Sequence, residues 1–297
     1  MSYRLDLSTQ DGVPGALRAC AAEQLADAIR VLRSEREADP VEAVHDARKD
    51  LKKARSLLRL VRTDMPRPHY RAENDAMRDV ARRLSDVRDA DVMVETVDAL
   101  AQRFRGSLPR RAIPTVRRRF VSAALHSRAT ADAAISDVVL DELATIAVRV
   151  PAWPLDGCDA QTLRAGATLA YARGRDRFAV AEADPSVENL HEWRKRVKDL
   201  WYHMRLLEAA WPGVLEAFSE EAHALSDHLG DDHDLGVLAE RLTEGQWPLS
   251  VDAPALIELT ARRREELQLQ AFALGHRLYA ERPKAFGRRL GAYLRAA

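Results

Sequence analysis

Val44-His45-Asp46-Ala47-Arg48-Lys49-Asp50-Leu51-Lys52-Lys53-Ala54-Arg55 returns 146 residues later as Leu190-His191-Glu192-Trp193-Arg194-Lys195-Arg196-Val197-Lys198. Between 41–60 and 187–206, eight of 20 positions are identical, among them His45/His191, Arg48/Arg194, Lys49/Lys195 and Lys52/Lys198. This internal repeat makes the chain two related halves. At about 100° per residue, His45, Arg48, Lys49, Lys52, Arg55 and Arg59 fall within one helical arc roughly 120° wide. Val44, Ala47, Leu51, Ala54, Leu58 and Val61 lie opposite. The second copy places His191, Arg194, Lys195, Lys198 and Arg205 on the polar arc, and Leu190, Trp193, Val197, Leu200, Met204 and Leu207 on the apolar one. Each stripe is a cationic ladder, about 21 Å long from His45 to Arg59.

A basic stripe is commonly no more than the solvated face of an amphipathic helix, because Lys and Arg are good helix formers. The pairing argues for more. Solubility does not require His followed by Arg at i+3, Lys at i+4 and Lys at i+7 in both halves. The stripes also lack the interleaved Glu at i+4 that neutralises an ordinary surface. Residues 41–63 carry seven Lys or Arg against three acids, whereas the 297-residue chain balances 46 against 46. Bulk charge therefore draws the protein to neither nucleic acid nor a membrane surface, and any affinity for polyanions must come from this local segregation.

Ala, Leu, Arg and Glu dominate, strand-like alternation is absent and prolines cluster at a few breaks, which is the punctuation of an all-α chain. The first half, 14–150, opens with a helix from Pro14 to Glu37. Asp39 then caps the basic helix, with Pro40 at N1 and Glu42 closing a capping box. Met65-Pro66-Arg67-Pro68 ends that helix, and further helices are expected over 69–84, up to Phe104, over 114–133 and over 135–149. Pro151 to Gly157 is the linker. The second half, 158–297, repeats the order: a helix over 159–183, the basic helix after Asp184-Pro185, and helices over 255–280 and 283–295. Leu229-Gly230-Asp231-Asp232-His233-Asp234 aligns with Leu84-Ser85-Asp86-Val87-Arg88-Asp89 one residue out of step, and both read as helix ends. Arg262-Arg263-Arg264 reads as a solvated face. The expectation is two pseudo-symmetric helical bundles of four-helix type.

Cys20 and Cys158 are far apart with no CxxC partner, which argues against a disulfide framework or a structural zinc site and for a reducing compartment. The N-terminus has no apolar run of signal-sequence type and no stretch approaches a membrane span, so a cytoplasmic home is expected.

The pattern HxxRKxxK, repeated once in an all-helical chain and followed each time by L-[SG]-x-x-[RH]-D, resembles the CHAD family, the conserved histidine α-helical domain. The likeness runs from about Pro14 to Arg295. It implies two bundles enclosing a basic, pore-like surface that binds inorganic polyphosphate, in a stand-alone binding module; no catalysis, cofactor or bound metal is expected, and association with polyphosphate granules is a corollary. By position it carries over His45, Arg48, Lys49, Lys52 and Arg55 in the first half, and His191, Arg194, Lys195 and Lys198 in the second. Tyr171, Arg173 and Arg175 match its Tyr/Arg-rich preceding helix less sharply. Arg59, Tyr202 and Arg205 extend the ladder along the same arcs. Trp201 stands at the place of Arg55, so the two copies are unequal.

A flexible chain of about one charge per phosphate needs donors at intervals, and the mixture of bidentate arginines and point-charge lysines suits it. The plainer reading of His45 and His191 is a helix-start histidine bonded to a neighbouring carboxylate. Two other chemistries are to be weighed. His223, Asp227, His228, Asp231, Asp232, His233 and Asp234 offer material for a metal-dependent phosphohydrolase or a metal chelator, but on a continuous helix successive steps of five residues turn the rings by about 140°. A single-strand nucleic-acid binder interleaves cations with stacking aromatics, and here only Trp201 and Tyr202 lie along the arcs.

Overall fold

A computed structural model describes residues 3–34, 38–84, 89–106, 112–245, 247–248 and 251–297. Among these the chain is all-helical, with no strand. The first half contains α1 (Gly12–Ser34), α2 (Pro40–Leu60), α3 (Arg67–Arg83), α4 (Asp89–Arg103), α5 (Ala112–Ala134) and α6 (Asp137–Arg149). The second contains α7 (Ala160–Ala183), α8 (Val187–Leu206), α9 (Pro212–Glu244), α10 (Ala253–Leu278) and α11 (Pro283–Ala296). The expected helix order therefore appears in both halves, with α9 standing where α3 and α4 stand in the first.

Helix starts follow local chemistry. The Asp39 carboxylate accepts from the Val41 and Glu42 N–H groups, and Pro40 occupies the first turn, where its missing N–H costs nothing. The Glu42 carboxylate lies instead beside His45 and Asp46. A reciprocal capping box forms at α7, between Asp159 and Thr162. The linker is packed rather than loose: Trp153 and Leu155 are buried, and the Arg18 guanidinium donates to the Trp153 carbonyl at 2.7 Å and pairs with Asp156.

One core spans the middle of the molecule. Leu51, Leu58, Trp193, Val197, Leu200 and Met204, read from the sequence as the apolar arcs, are all inaccessible to solvent, and they join side chains from α1, α7 and α11. A second core unites Met93, Val97, Leu100 and Phe120 of α4–α5 with Leu235, Leu238, Leu256 and Leu267 of α9–α10. Packing thus crosses the boundary between the halves. The two basic helices are also stapled by the extended N-terminal segment: the Tyr3 hydroxyl donates to the Lys53 carbonyl at 2.7 Å, and the Leu5 N–H to the Leu206 carbonyl at 2.9 Å.

Two expectations are corrected. The helix break at 229–235 does not occur, because Asp232 is buried and accepts two bonds from Arg264 and one from Gln268, while Leu229, Leu235, Leu238 and Leu242 keep the helical core spacing. The aligned turn at 85–88 lies outside the described residues. By the same contact Arg264 is no solvated side chain; it ties α10 to α9.

His203 on α8, 1% exposed, sets its Nε2 3.0 Å from the Ser56 carbonyl of α2. Burial holds its pKa down to about 4, so the fold keeps it neutral. Since the folded value lies below the unfolded one of about 6.5, this stability is present above about pH 6.5 and declines as pH falls towards 4, by roughly 3 kcal/mol. His203→Leu should flatten the loss of melting temperature across that window. Parallel pH profiles for variant and wild type would contradict this account.

Candidate functional site

α2 and α8 meet along a seam of charge. The buried Asp199 of α8 accepts from Arg59 of α2 at 3.0 Å and from Arg196 of its own helix at 2.8 Å. One such carboxylate allows two cationic helices to pack against each other, because it replaces repulsion by two charge-assisted bonds in a partly desolvated place. Above the seam opens a cleft of about 400 Å³ lined by His45, Arg48 and Lys52 of α2, His191 and Arg194 of α8, and His233, Asp234 and Arg241 of α9, with Val92 and Met93 of α4 completing the wall. The repeat-equivalent residues of the two halves thus face one space.

Within it the histidine rings of His191 and His233 pack 4.5 Å apart, and His233 Nδ1 lies 3.1 Å from Asp234. Burial, with further contributions from His233, Lys195 and Arg194, lowers the His191 pKa to about 4. Its Nδ1 is buried without a hydrogen-bond partner, so the carboxylate-bonded reading does not describe this residue. The Arg194 Nε is likewise buried and unpartnered. Lys198 is not among the residues lining the cleft; half-buried, it is pulled down to about 7 by burial and by repulsion from Arg194 and Lys52, while Asp227 and Asp234 act in the opposite sense.

The remaining ladder residues lie elsewhere. Lys49 and Lys195 are exposed at the flanks and pair with Asp46 and Glu192 one turn away. Arg55 donates to Asn74, and burial, then Arg59, lowers its pKa to about 10. Tyr202 is buried against Trp201 and edge-on to Tyr3, and Arg205 sits over the Trp201 ring. On α7, Tyr171 belongs to the core: it stacks on Phe286 at 4.1 Å and donates to the Glu281 carbonyl. Arg175 is near Tyr171, and Arg173 lines a separate depression with Asp176, Arg177, Glu192 and Arg196. Sequence reasoning missed Arg241. It lies seven residues after Asp234, hence on the same helical face, a relation hidden by the supposed break.

The histidines of α9 do not gather. His223 packs on Trp201 and approaches Asp227, whereas His233 faces His191. Among the described residues the side chains close enough to share a cation are Glu42, His45 and Asp46, and Asp46 already holds Lys49.

These features define an all-helical protein of two related helix sets whose equivalent basic helices share a cationic cleft with a long third helix. A family model for the CHAD domain matches residues 15–243, and the chain belongs to that family. Among solved structures it is similar to PptA from Streptomyces chartreusis, with a TM-score of 0.57 and 18% identity over 90% of this chain and 99% of that one. It is also similar to the CHAD domain from the plant Ricinus communis, with a TM-score of 0.56 and 21% identity over 100% of this chain and 94% of that one. At these identities the likeness is one of fold. No match to the chain was found among curated proteins.

The burial of Lys198 gives a stability test. A lysine held below its unfolded pKa of about 10.4 weakens the fold at neutral pH, since it must be charged in company or give up its proton. Lys198→Met should therefore melt no lower than wild type at pH 7, whereas Leu51→Glu, which places a charge in the core, should melt far lower. A large loss for Lys198→Met would show that its ammonium is needed to hold α8 and α9 together.

Proposed function

We propose that the protein binds inorganic polyphosphate in the cleft between α2, α8 and α9, without catalysis. The observation that carries this reading is the convergence of His45, Arg48 and Lys52 with His191 and Arg194 on one space. A linear polyanion meets many weak charges at intervals, and two equivalent ladders facing one cleft supply them in pairs. Membership of the CHAD family, with the ligand that the resemblance implies, agrees with this. Cytoplasmic residence and association with polyphosphate granules belong to the same proposal. Among the described residues no helix is long and apolar enough to cross a membrane. The metal reading finds its α9 histidines on different neighbours, and the nucleic-acid reading finds Trp201 and Tyr202 packed together rather than standing in the cleft.

The test is a competition titration of long-chain polyphosphate against orthophosphate, ATP and single-stranded DNA, with EDTA present and absent. Polyphosphate should win, chelation should leave affinity unchanged, and the logarithm of affinity should fall linearly with that of salt as counterions are released. Short oligophosphates should bind far more weakly than chains long enough to touch both helices. Preference for ATP or for single-stranded DNA, or binding indifferent to salt, would overturn the proposal.

Binding should also take up protons. A bound polyanion favours the charged form of Lys198, which feels Arg194 and Lys52 as well as Asp227 and Asp234, and that of His191 against His233. Affinity should accordingly decline as pH rises through 7 and beyond, and Lys198→Arg, always charged, should lose that part of the slope. Calorimetry in buffers of different ionisation enthalpy measures the proton number directly. No difference between Lys198→Arg and wild type would remove Lys198 from the linkage.

A further inference from the structure

Arg48 and Arg194 occupy the same place in the repeat but not the same surroundings. The Arg48 Nη1 donates to the Leu84 carbonyl at 3.2 Å. That carbonyl is available because α3 ends there, and terminal carbonyls lack a partner within their helix. In the second half the aligned stretch Leu229-Gly230 lies inside α9, where carbonyls already accept helical bonds. Arg194 finds no such cap. Its guanidinium instead packs against α9 at Gly230, and its Nε is buried without a partner.

Gly230 permits this. A Cβ at that position would stand 2.8 Å from Arg194 Nη2, 3.2 Å from Cζ and 3.3 Å from Nε. Glycine weakens a helix interior, and the position needs no left-handed backbone, since among the described residues only Gly12 and Gly106 have positive φ. Space for the guanidinium is the reason that remains. A positioned guanidinium with a buried, unused Nε–H, lining the same cleft as the unpartnered Nδ1 of His191, is prepared for an anion in a way that Arg48 is not.

We infer that Arg194 is the principal anion anchor of the cleft, unlike its repeat equivalent Arg48, and that Gly230 is a positioning residue holding its guanidinium in place. The inference rests on the polyanion-binding reading above.

The experiment measures long-chain polyphosphate affinity and thermal melting for wild type, Arg48→Gln, Arg194→Gln, Gly230→Ala and the double variant Gly230→Ala/Arg194→Gln. Arg194→Gln should lose about ten-fold or more in affinity, as for a lost charge-assisted bond, and Arg48→Gln distinctly less. Gly230→Ala should melt at or above wild type, because alanine favours the helix and the displaced atoms end a flexible side chain, yet it should bind several-fold more weakly. In the Arg194→Gln background Gly230→Ala should change affinity no further, which a merely structural role would not produce. Equal losses for the two arginines, unimpaired binding by Gly230→Ala, or full additivity in the double variant would each overturn the inference while leaving the functional reading intact. Absence of polyphosphate binding by the wild-type chain would overturn both.

Discussion

Asp199 is where the charge of this molecule is resolved. Two helices that each carry a ladder of Lys and Arg repel one another, and burial strengthens the repulsion by removing water from between them. Asp199 takes one arginine from each helix, and the neutral His203 adds a bond from α8 to the α2 backbone a turn away. The repeat makes the device visible: the residue equivalent to Asp199 is Lys53, which turns aside to Asp50. A single position carrying opposite charges in the two copies lets like helices pack.

With the seam closed at one end, the cations at the other cannot spread. His45, Arg48, Lys52, His191 and Arg194 are confined to a cleft whose third wall is α9, and burial first, then the neighbouring cations, depress the values of Lys198 and His191. The electrostatic strain is local. It is held there by a core of Trp193, Leu51 and Leu58 on the opposite faces of the same helices, so packing energy sustains a charge arrangement that would not form by itself.

The helix order, the apolar arcs and the Asp39 cap were legible in the sequence, because each depends on residues within a turn or two of one another. What was not legible depends on contacts far apart in the chain. Gly230-Asp231-Asp232 has the composition of a turn, and the Arg264 and Gln268 side chains from α10 are what satisfy Asp232 as a buried helical residue. The place of Arg241 on the cleft followed from that same continuous helix. Tyr171 looked like part of the ladder by position, but an aromatic side chain on the inner face of α7 is drawn to Phe286 and Tyr279.

The acids of α9 complete the logic of a chain with no net charge. Asp227 and Asp234 stand near Lys198, and Asp231 is crowded enough by burial and by those two carboxylates for its pKa to be raised. Negative charge beside a polyanion site weakens the hold on any one phosphate. On the proposed reading that weakening acts unequally: a lone phosphate feels the local balance of charge, whereas a long chain sums its contacts over two helices and tolerates one unfavourable neighbour. On that reading the carboxylates that relieve repulsion within the fold would also favour long ligands over short ones, with α9 contributing Asp234 to the cleft wall beside His233 and Arg241.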